Sequence, residues 1–241
     1  MANFVLVHGA WQNSGTWDLT RQRLEALGHT VVVPSLTGLA PKSLKLDDTV
    51  TLSTHVADVV AAVKSSGLQD VVLVAHSYGG MVVTAAAEQL ASLIARIVYV
   101  DAFVPEDGQC AMDFFPPPFQ AAFRQQAQAG GGWKMVGGEN LLDLWLLKPG
   151  AARDFVKANL CDFSIRCFEE RVALPKAAAR SLPRAYVACV AEAYGGRHVF
   201  GAFLKKLQEA GCPCVEMKTG HDCHVEEPDA FVEHLIRLSS K

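Results

Sequence analysis

The amino-acid sequence predicts a doubly wound α/β fold, with a mostly parallel six-stranded sheet flanked by helices and an inserted helical cap. Short apolar runs rich in Val and Ile recur along the chain, and helical patterns lie between them. Continuous apolar character indicates strands that are covered on both faces, as in a parallel sheet. Alternation of strands and helices is typical of doubly wound folds.

Six runs have the composition of buried strands. They cover residues 3–8, 30–34, 70–76, 95–101, 184–190 and 213–218. Four intervening segments have helical patterns, namely "DLTRQRLEALG", "STHVADVVAAVKSSG", "GGMVVTAAAEQLASLI" and "PDAFVEHLIRLSS". Gly28 and Gly67 end the first two segments as C-caps, and Pro228 suits the first position of the last helix.

The alternation stops between about residues 104 and 182. This stretch contains "FFPPPF", "GGGW" and "LKPG", together with helix-like pieces such as "NLLDLWLL" and "AARDFVKANL". It therefore predicts a helical cap over residues 104–182, inserted into a core made of residues 1–103 and 183–241.

Composition excludes several classes of partner. The chain has 241 residues, of which half are hydrophobic and a fifth charged, with a net charge of −3. Because no long basic run occurs, we expect no nucleic-acid partner and no anionic membrane surface. The apolar runs are too short to cross a bilayer, and no secretory signal precedes the first strand, which favours a cytoplasmic location.

The seven cysteines have irregular spacing. An odd count with such spacing fits reduced thiols better than a disulfide framework. Cys212 and Cys214 form a single "CPC" pair with no second pair, so we expect no zinc site and no metal.

Ser77 lies where a buried strand is expected to end and a helix to begin, in "VVLVAHSYGG". In a nucleophile elbow the serine occupies such a tight turn, and its neighbours are small so that the hydroxyl can project. Ala75 and Gly79 stand two positions before and after the serine. We therefore interpret Ser77 as a nucleophile rather than as a simple helix cap.

A serine nucleophile needs a base, and "TGHDCHVEEPDAF" offers His221 and His224. His221 comes directly after the last strand, where a loop residue can reach across the carboxyl edge of the sheet. His224 lies a turn farther on, so we favour His221 as the base. A metal site made of His221, Cys223 and His224 is disfavoured because a fourth ligand is not evident.

Two carboxylates compete to orient the base. The chain order of this kind of site is serine, acid, histidine. Glu192 follows the strand at 184–190, and Asp101 ends the strand at 95–101. We favour Glu192, and Asp101 remains the alternative.

The first strand ends in "VHGAW", a turn that can supply an oxyanion hole. The small His8–Gly9–Ala10 turn can direct the amide of Ala10 toward a developing oxyanion. The amide of Tyr78 would point to the same place from the start of the following helix. The alternative for the His8–Gly9–Ala10 segment is a plain β-turn after a buried strand.

These motifs together resemble the α/β-hydrolase superfamily, and in particular its branch of small plant methylesterases, plant hydroxynitrile lyases and short bacterial esterases. The matching pieces span nearly the whole chain: "FVLVHGAW", "VPSLTGLA", "VVLVAHSYGGMV", "VYVDAFVP", "RAYVAC" and "GHDCHVEEP". The opening "MANFVLVHGAW" and "SLTGLA" also resemble bacterial hydrolases of the benzimidazole carbamate carbendazim.

The resemblance implies an α/β-hydrolase fold, with Ser77 as the nucleophile and the Ala10 and Tyr78 amides as the oxyanion hole. In the family's terminal motif a proline follows the catalytic histidine by seven residues, a register that His221 and Pro228 fit and His224 does not. In the family's strand that begins with tyrosine, an aspartate follows that tyrosine by six residues. Here the position holds Glu192.

The resemblance favours hydrolysis of a small-molecule ester or carbamate without a cofactor. In the lyase branch a threonine stands at the position of Gly9, and a lysine at the position of Asp222, so both residues favour an esterase. A non-catalytic receptor on a hydrolase scaffold is the third reading, and oligomeric state is left open. Aromatic residues of the cap that could line the pocket are Phe114, Phe115, Phe119, Trp133, Trp145 and Phe155.

Overall fold

The computed structural model describes residues 1–39 and 46–239. Within them, a six-stranded sheet has the order β2-β1-β3-β4-β7-β8, and all of its neighbouring strands are parallel. The strands are β1 (Asn3–Val7), β2 (Thr30–Val32), β3 (Val71–His76), β4 (Ile94–Val100), β7 (Arg184–Cys189) and β8 (Cys214–Met217). The predicted six-stranded parallel sheet is therefore confirmed, with its boundaries within two residues of expectation.

The helices formed by the described residues follow in chain order. They are α1 (Asp18–Ala26), α2 (Leu52–Ser66), α3 (Gly79–Leu90), α4 (Pro117–Ala129), α5 (Glu139–Leu144), α6 (Ala151–Ala158), α7 (Arg166–Glu169), α8 (Ala177–Arg180), α9 (Arg197–Glu209), α10 (Cys223–Glu226) and α11 (Pro228–Ser239). Short 3-10 turns cover Ser14–Trp17, Ala91–Leu93 and Ala111–Phe114. All four helices expected from the sequence are present.

Helix α2 shows how local sequence sets these boundaries. Thr51 and Thr54 form a reciprocal capping box, which satisfies two backbone donors at its start. Gly67 ends the helix with φ of 67°, a left-handed conformation that glycine adopts without a Cβ penalty. The predicted C-cap at Gly67 is thus observed.

The centre of the sheet is fully buried. All six residues of β3 are buried, and β4 buries its last four. Burying one Val or Leu side chain contributes about 1.5–3 kcal/mol, so these central strands form a rigid platform. The site described below is built on the carboxyl ends of these strands.

The stretch between β4 and β7 has a different character. It holds α4 to α8 and an antiparallel pair of two-residue strands, β5 (Lys134–Met135) and β6 (Phe163–Ser164). The structure describes every residue between Val100 and Arg184, and none of them belongs to a strand of the six-stranded sheet. The division into a core (1–103 and 183–241) and a cap (104–182) remains a prediction.

The structure also bears on the cysteines, on the length of the helices and on the "VPSLTGLA" motif. All seven cysteines lie in the described part of the chain and are free thiols. The helices that the structure describes are each too short or too polar to cross a bilayer. The last residue of the "VPSLTGLA" motif, Ala40, lies outside the described residues.

Candidate active site

Ser77 occupies a sharp turn between β3 and α3. Its φ is 54°, in the left-handed region that non-glycine residues rarely adopt. Two backbone hydrogen bonds hold the turn, because the Ser77 amide donates to the Val100 carbonyl at 3.1 Å and the Phe103 amide donates to the Ser77 carbonyl at 3.2 Å. Strained backbone of this kind is typical of functional sites, and the geometry is that of the predicted nucleophile elbow.

The glycines around Ser77 are required by close backbone packing. A Cβ on Gly79 would lie 2.9 Å from the carbonyl oxygens of Val7 and His8, and one on Gly80 would lie 2.0 Å from the Phe103 carbonyl oxygen. A Cβ on Gly9 would lie 2.8 Å from the Cβ of Ser77. The turn after β1 therefore rests directly against the elbow.

His221 lies in the loop after β8 and is 2% exposed. Its Nδ1 lies 2.7 Å from Oδ2 of Asp101, which follows β4 and is 1% exposed. The Asp101 backbone is also in the left-handed region, with φ of 41°. The second oxygen of this carboxylate, Oδ1, accepts the Cys189 amide at 3.2 Å.

The structure places the two candidate acids differently. Glu192, favoured on the register after Tyr186, is exposed, whereas Asp101, the alternative, contacts His221. In the described part of the chain, Glu192 makes no hydrogen bond or ion pair with His221. The loop after β7 leaves the sheet edge at this point, so the register of the motif does not bring the Glu192 carboxylate to the imidazole.

Tyr194 is a site residue that the sequence analysis missed. Its hydroxyl donates to Asp101 Oδ2 at 2.7 Å. The hydroxyl oxygen of Tyr194 also lies 2.8 Å from His221 Nδ1. It comes from the loop that carries Glu192, two residues farther on. A tyrosine after a strand has no distinctive spacing, so no sequence signal indicated this contact.

Burial opposes charge on both members of the His221–Asp101 pair. It raises the pKa of the Asp101 carboxyl and lowers the pKa of the His221 imidazole. The hydrogen bonds from Tyr194 and the Cys189 amide oppose the first shift by stabilising the carboxylate. A neutral imidazole is the form that can accept a proton from a serine hydroxyl.

Ser77 and His221 line the same cavity. Among the described residues no hydrogen bond joins the Ser77 hydroxyl to the imidazole, a contact that in many ligand-free enzymes tightens only when substrate binds. His224 does not line this cavity; it is fully buried and its ring lies 4.3 Å from that of Trp17.

The two predicted oxyanion donors are the backbone amides of Ala10 and Tyr78. Ala10 lines the cavity, and Tyr78 directly precedes the first turn of α3. Outside the regular elements that the structure describes, neither amide donates a backbone hydrogen bond. The Tyr78 side chain is fully buried, and its hydroxyl lies 3.0 Å from His55 Nδ1, which fixes the residue that carries the amide.

The cavity has a volume of about 330 Å³ and is lined mainly by aromatic rings. Among the predicted cap aromatics, the lining includes Phe115, Phe119 and Trp145 but not Phe114, Trp133 or Phe155. The other aromatic residues are Trp11, Phe103, Phe123, Phe168, Tyr194 and Phe200. No Asp, Glu, Lys or Arg belongs to the lining formed by the described residues, so the cavity suits an uncharged aromatic ligand.

A separate buried cluster lies behind the elbow. His76, Asp222 and His224 each offer a donor atom, and these atoms lie within 4.8 Å of one another. The His76 Nε2 is hydrogen-bonded to the His221 carbonyl at 3.0 Å, whereas Nδ1 of His76 and both nitrogens of His224 have no hydrogen-bond partner among the residues that the structure describes. The donor set could hold a metal ion, and it would equally be satisfied by buried water, which commonly fills such positions. It shares only His224 with the combination of His221, Cys223 and His224 that the sequence disfavours as a metal site.

Comparison with known proteins shows the family of this chain. The model of the alpha/beta hydrolase family matches residues 4–234. A carbendazim hydrolyzing esterase from Nocardioides sp. is 34% identical over 244 residues, which covers 99% of this chain and all of that protein. Methylesterase 7 of Arabidopsis thaliana is 37% identical over 105 residues, which covers 43% of this chain and 40% of the methylesterase.

Solved structures show the same fold. An extracellular alpha/beta-hydrolase from a Paenibacillus species, described as sharing structural and functional homology with tobacco salicylic acid binding protein 2, superposes with a TM-score of 0.87 at 26% identity over the whole of both chains. A pyrethroid hydrolase from Sphingobium faniae has the same fold, with a TM-score of 0.79 at 18% identity over 99% of this chain and 97% of that one. The predictions of an α/β-hydrolase fold and of a hydrolytic enzyme are confirmed, and the chain belongs to the alpha/beta hydrolase family.

Proposed function

We propose that this protein is a serine esterase that hydrolyses small, uncharged carboxylic esters or carbamates, including aryl carbamates such as carbendazim. The observation that supports this most directly is that Ser77, on its strained turn, and His221, whose Nδ1 contacts the buried Asp101, line one aromatic cavity. The full-length relative named as a carbendazim hydrolyzing esterase supports the carbamate part of the proposal.

In the first half of the reaction, the Ser77 oxygen attacks the substrate carbonyl carbon while Nε2 of His221 takes the serine proton. Asp101 keeps the proton on Nδ1 and stabilises the imidazolium that forms. The Ala10 and Tyr78 amides donate to the oxyanion of the tetrahedral intermediate. His221 then protonates the leaving group. Departure of the alcohol leaves an acyl enzyme from an ester or a carbamoyl enzyme from a carbamate, whereas departure of the amine of a carbamate leaves an alkoxycarbonyl enzyme.

In the second half, water attacks the carbonyl carbon of the covalent intermediate, and His221 accepts one proton of that water. Collapse of the new tetrahedral intermediate returns the proton to Ser77 and releases the acid. The protein's own residues carry every proton in this cycle, and no cofactor takes part in the proposed steps.

The cavity lining favours the substrate class. Its volume of about 330 Å³ and its aromatic walls fit a small aryl group, and aromatic rings stack or pack edge to face with such groups. The described lining has no Asp, Glu, Lys or Arg, and it therefore offers no ion-pair partner to a charged substrate. We expect uncharged aryl esters and aryl carbamates to be better substrates than charged analogues.

Cleavage of a cyanohydrin is the second candidate and has less support. Gly9 offers no hydroxyl, and a side chain there would collide with Ser77. Asp222 does not line the cavity; it is fully buried, and its Oδ1 accepts the Gln12 amide at 2.6 Å. The lining formed by the described residues thus offers no lysine or arginine to stabilise departing cyanide.

Substrate tests separate the three candidate functions. Purified protein is incubated with an activated aryl ester, an aryl methyl carbamate and mandelonitrile in parallel. Hydrolysis of the ester and release of amine from the carbamate are expected, with cyanide release at the buffer rate. Cyanide release above that rate without amine formation would favour the lyase, and no turnover of any substrate would favour a ligand receptor.

The nucleophile is tested by Ser77→Ala. Loss of the serine in triad hydrolases typically costs on the order of 10⁶ in turnover, so ester hydrolysis by a folded variant should fall almost to background. Activity within tenfold of the parent protein would contradict the assignment of Ser77.

The base is tested by His221→Ala with His224→Ala as its matched partner. We expect His221→Ala to be as damaging as Ser77→Ala, because the imidazole must take the serine proton. His224→Ala should be much milder in turnover, although the buried ring packs against Trp17 and its loss should lower the melting temperature. The reverse order of effects on turnover would transfer the base role to His224.

A further inference from the structure

We infer that Tyr194 is a positioning residue of the hydrolytic site, whose hydroxyl holds the Asp101 carboxylate and His221 in the arrangement required for proton transfer. The inference rests on the proposed serine-esterase function. Its basis is a compact triangle of polar atoms: Tyr194 Oη, Asp101 Oδ2 and His221 Nδ1 lie 2.7–2.8 Å from one another. All three residues are at most 3% exposed.

The chemistry of the donor groups assigns the direction of the two contacts with Asp101 Oδ2. An ionised carboxylate only accepts, so Tyr194 O–H and His221 Nδ1–H both donate to Asp101 Oδ2. With its proton on Nδ1, the imidazole presents the lone pair of Nε2 to the serine. If the tyrosine hydroxyl were missing, Oδ2 would lose one of its two donors, and a protonated Asp101 would become easier to form.

Tyr194 also connects the substrate cavity to the acid. Its ring stacks on His221, with centroids 5.9 Å apart and an angle of 26° between the planes, and it belongs to the cavity lining. The motif register places an acid in the loop after β7. In the structure this loop instead contributes the Tyr194 hydroxyl, which donates to the Asp101 carboxylate at the end of β4.

The backbone of the same loop makes room for this hydroxyl. A Cβ on Gly196 would lie 2.1 Å from Oη and 2.2 Å from Cζ of Tyr194. Gly196 has φ of −63° and ψ of −16°, which alanine adopts freely. Glycine is therefore required here by the position of the tyrosine ring rather than by backbone conformation.

The first experiment is Tyr194→Phe, assayed for hydrolysis of an activated aryl ester over a pH series. Loss of a hydrogen bond to a charged group should lower kcat on the order of 10-fold to 100-fold, with KM within about twofold. Because the hydroxyl stabilises the carboxylate, its removal lets the His221–Asp101 pair take up the inactivating proton at higher pH. The acidic limb of kcat/KM should move upward by about one pH unit.

A purely structural role predicts a different pattern. A lower melting temperature with an unmoved acidic limb would overturn the inference, and so would a kcat within twofold of the parent protein. The shifted limb is therefore the decisive readout.

The second experiment leaves the tyrosine intact. Gly196→Ala should displace the hydroxyl and reproduce the kcat loss and the shifted limb of Tyr194→Phe. Gly201→Ala in α9 is the matched control, because a Cβ there meets no atom within 4 Å, and it should leave both unchanged. Normal kcat and pH profile in Gly196→Ala would contradict a requirement for this hydroxyl position.

The same assays distinguish failure of the inference from failure of the proposed function. If the parent protein hydrolyses the ester and Ser77→Ala does not, the proposed function holds whatever Tyr194→Phe does. If Ser77→Ala retains activity, the proposed function fails, and the Tyr194 inference fails with it.

Discussion

The carboxyl ends of β4 and β7 lie side by side in the sheet, yet the carboxylate that follows β4 is buried and the one that follows β7 is exposed. Asp101, directly after β4, is 1% exposed and contacts His221, whereas Glu192, in the loop after β7, is exposed. Both residues are acidic and both follow buried parallel strands. Strand-end position is therefore insufficient to place a carboxylate in the site; the path of the backbone after the strand decides.

The end of β4 is held on two sides. The Asp101 amide donates to the Val187 carbonyl at 2.7 Å, and the segment that follows bonds back to the elbow through the Phe103 amide. Gly80 packs against the Phe103 carbonyl. These contacts maintain the left-handed turn at Asp101 and keep its side chain pointing to the imidazole.

The loop after β7 is less constrained on its outer side. It continues along β8 as far as Ala191, whose amide donates to the Thr219 carbonyl at 3.2 Å, and then forms a turn closed by the Tyr194 amide and the Ala191 carbonyl at 3.0 Å. Glu192 falls within this turn and is exposed, whereas Tyr194 returns to the interior. One loop thus exposes its carboxylate and buries its hydroxyl.

The largest effect expected from this comparison is that of Asp101→Asn. An asparagine can donate from its amide, so it favours the imidazole tautomer with the proton on Nε2, which cannot act as a base. We expect kcat for an activated aryl ester to fall by about 10⁴. Activity within tenfold of the parent, in a variant with an unchanged circular dichroism spectrum, would remove Asp101 from the triad.

An intermediate effect should come from Gly80→Ala, which tests how firmly the end of β4 is held. A Cβ at this position would lie 2.0 Å from the Phe103 carbonyl oxygen, so the backbone beyond Asp101 must shift. Overpacking of this kind costs about 1–3 kcal/mol or more, which denaturant unfolding would measure as a lower midpoint.

Gly195→Ala is the matched variant in the loop after β7. A Cβ there meets no atom within 4 Å, and we expect the free energy of unfolding to stay within about 0.5 kcal/mol of the parent. Equal destabilisation by the two alanines would contradict the difference described between the two strand ends.

The smallest effect should be that of Glu192→Gln. Its side chain is exposed and makes no contact with His221, so kcat and KM should both stay within about twofold of the parent protein. Assayed beside Asp101→Asn at one pH, a loss of 100-fold or more in Glu192→Gln would restore the acid role to the loop after β7.

Local patterns in the sequence determined much of this protein. Alternating apolar runs and helical periodicities are short-range features, so the sheet, its strands and helix ends such as Gly67 could be predicted. The elbow around Ser77 and the position of His221 after the last strand were equally accessible. Each depends on residues that are close in sequence, and the structure shows the corresponding geometry in both places.

Only the tertiary structure decided how residues far apart in sequence meet. Asp101 and His221 are 120 positions apart, and Tyr194 and Asp101 are 93 apart. Whether a carboxylate is buried beside an imidazole depends on loop paths that are set by contacts with neighbouring strands, and those contacts leave no periodic trace. The sequence alone therefore determined the sheet and the two candidate carboxylates, whereas packing at the sheet edge brought Asp101 and Tyr194 into contact with His221.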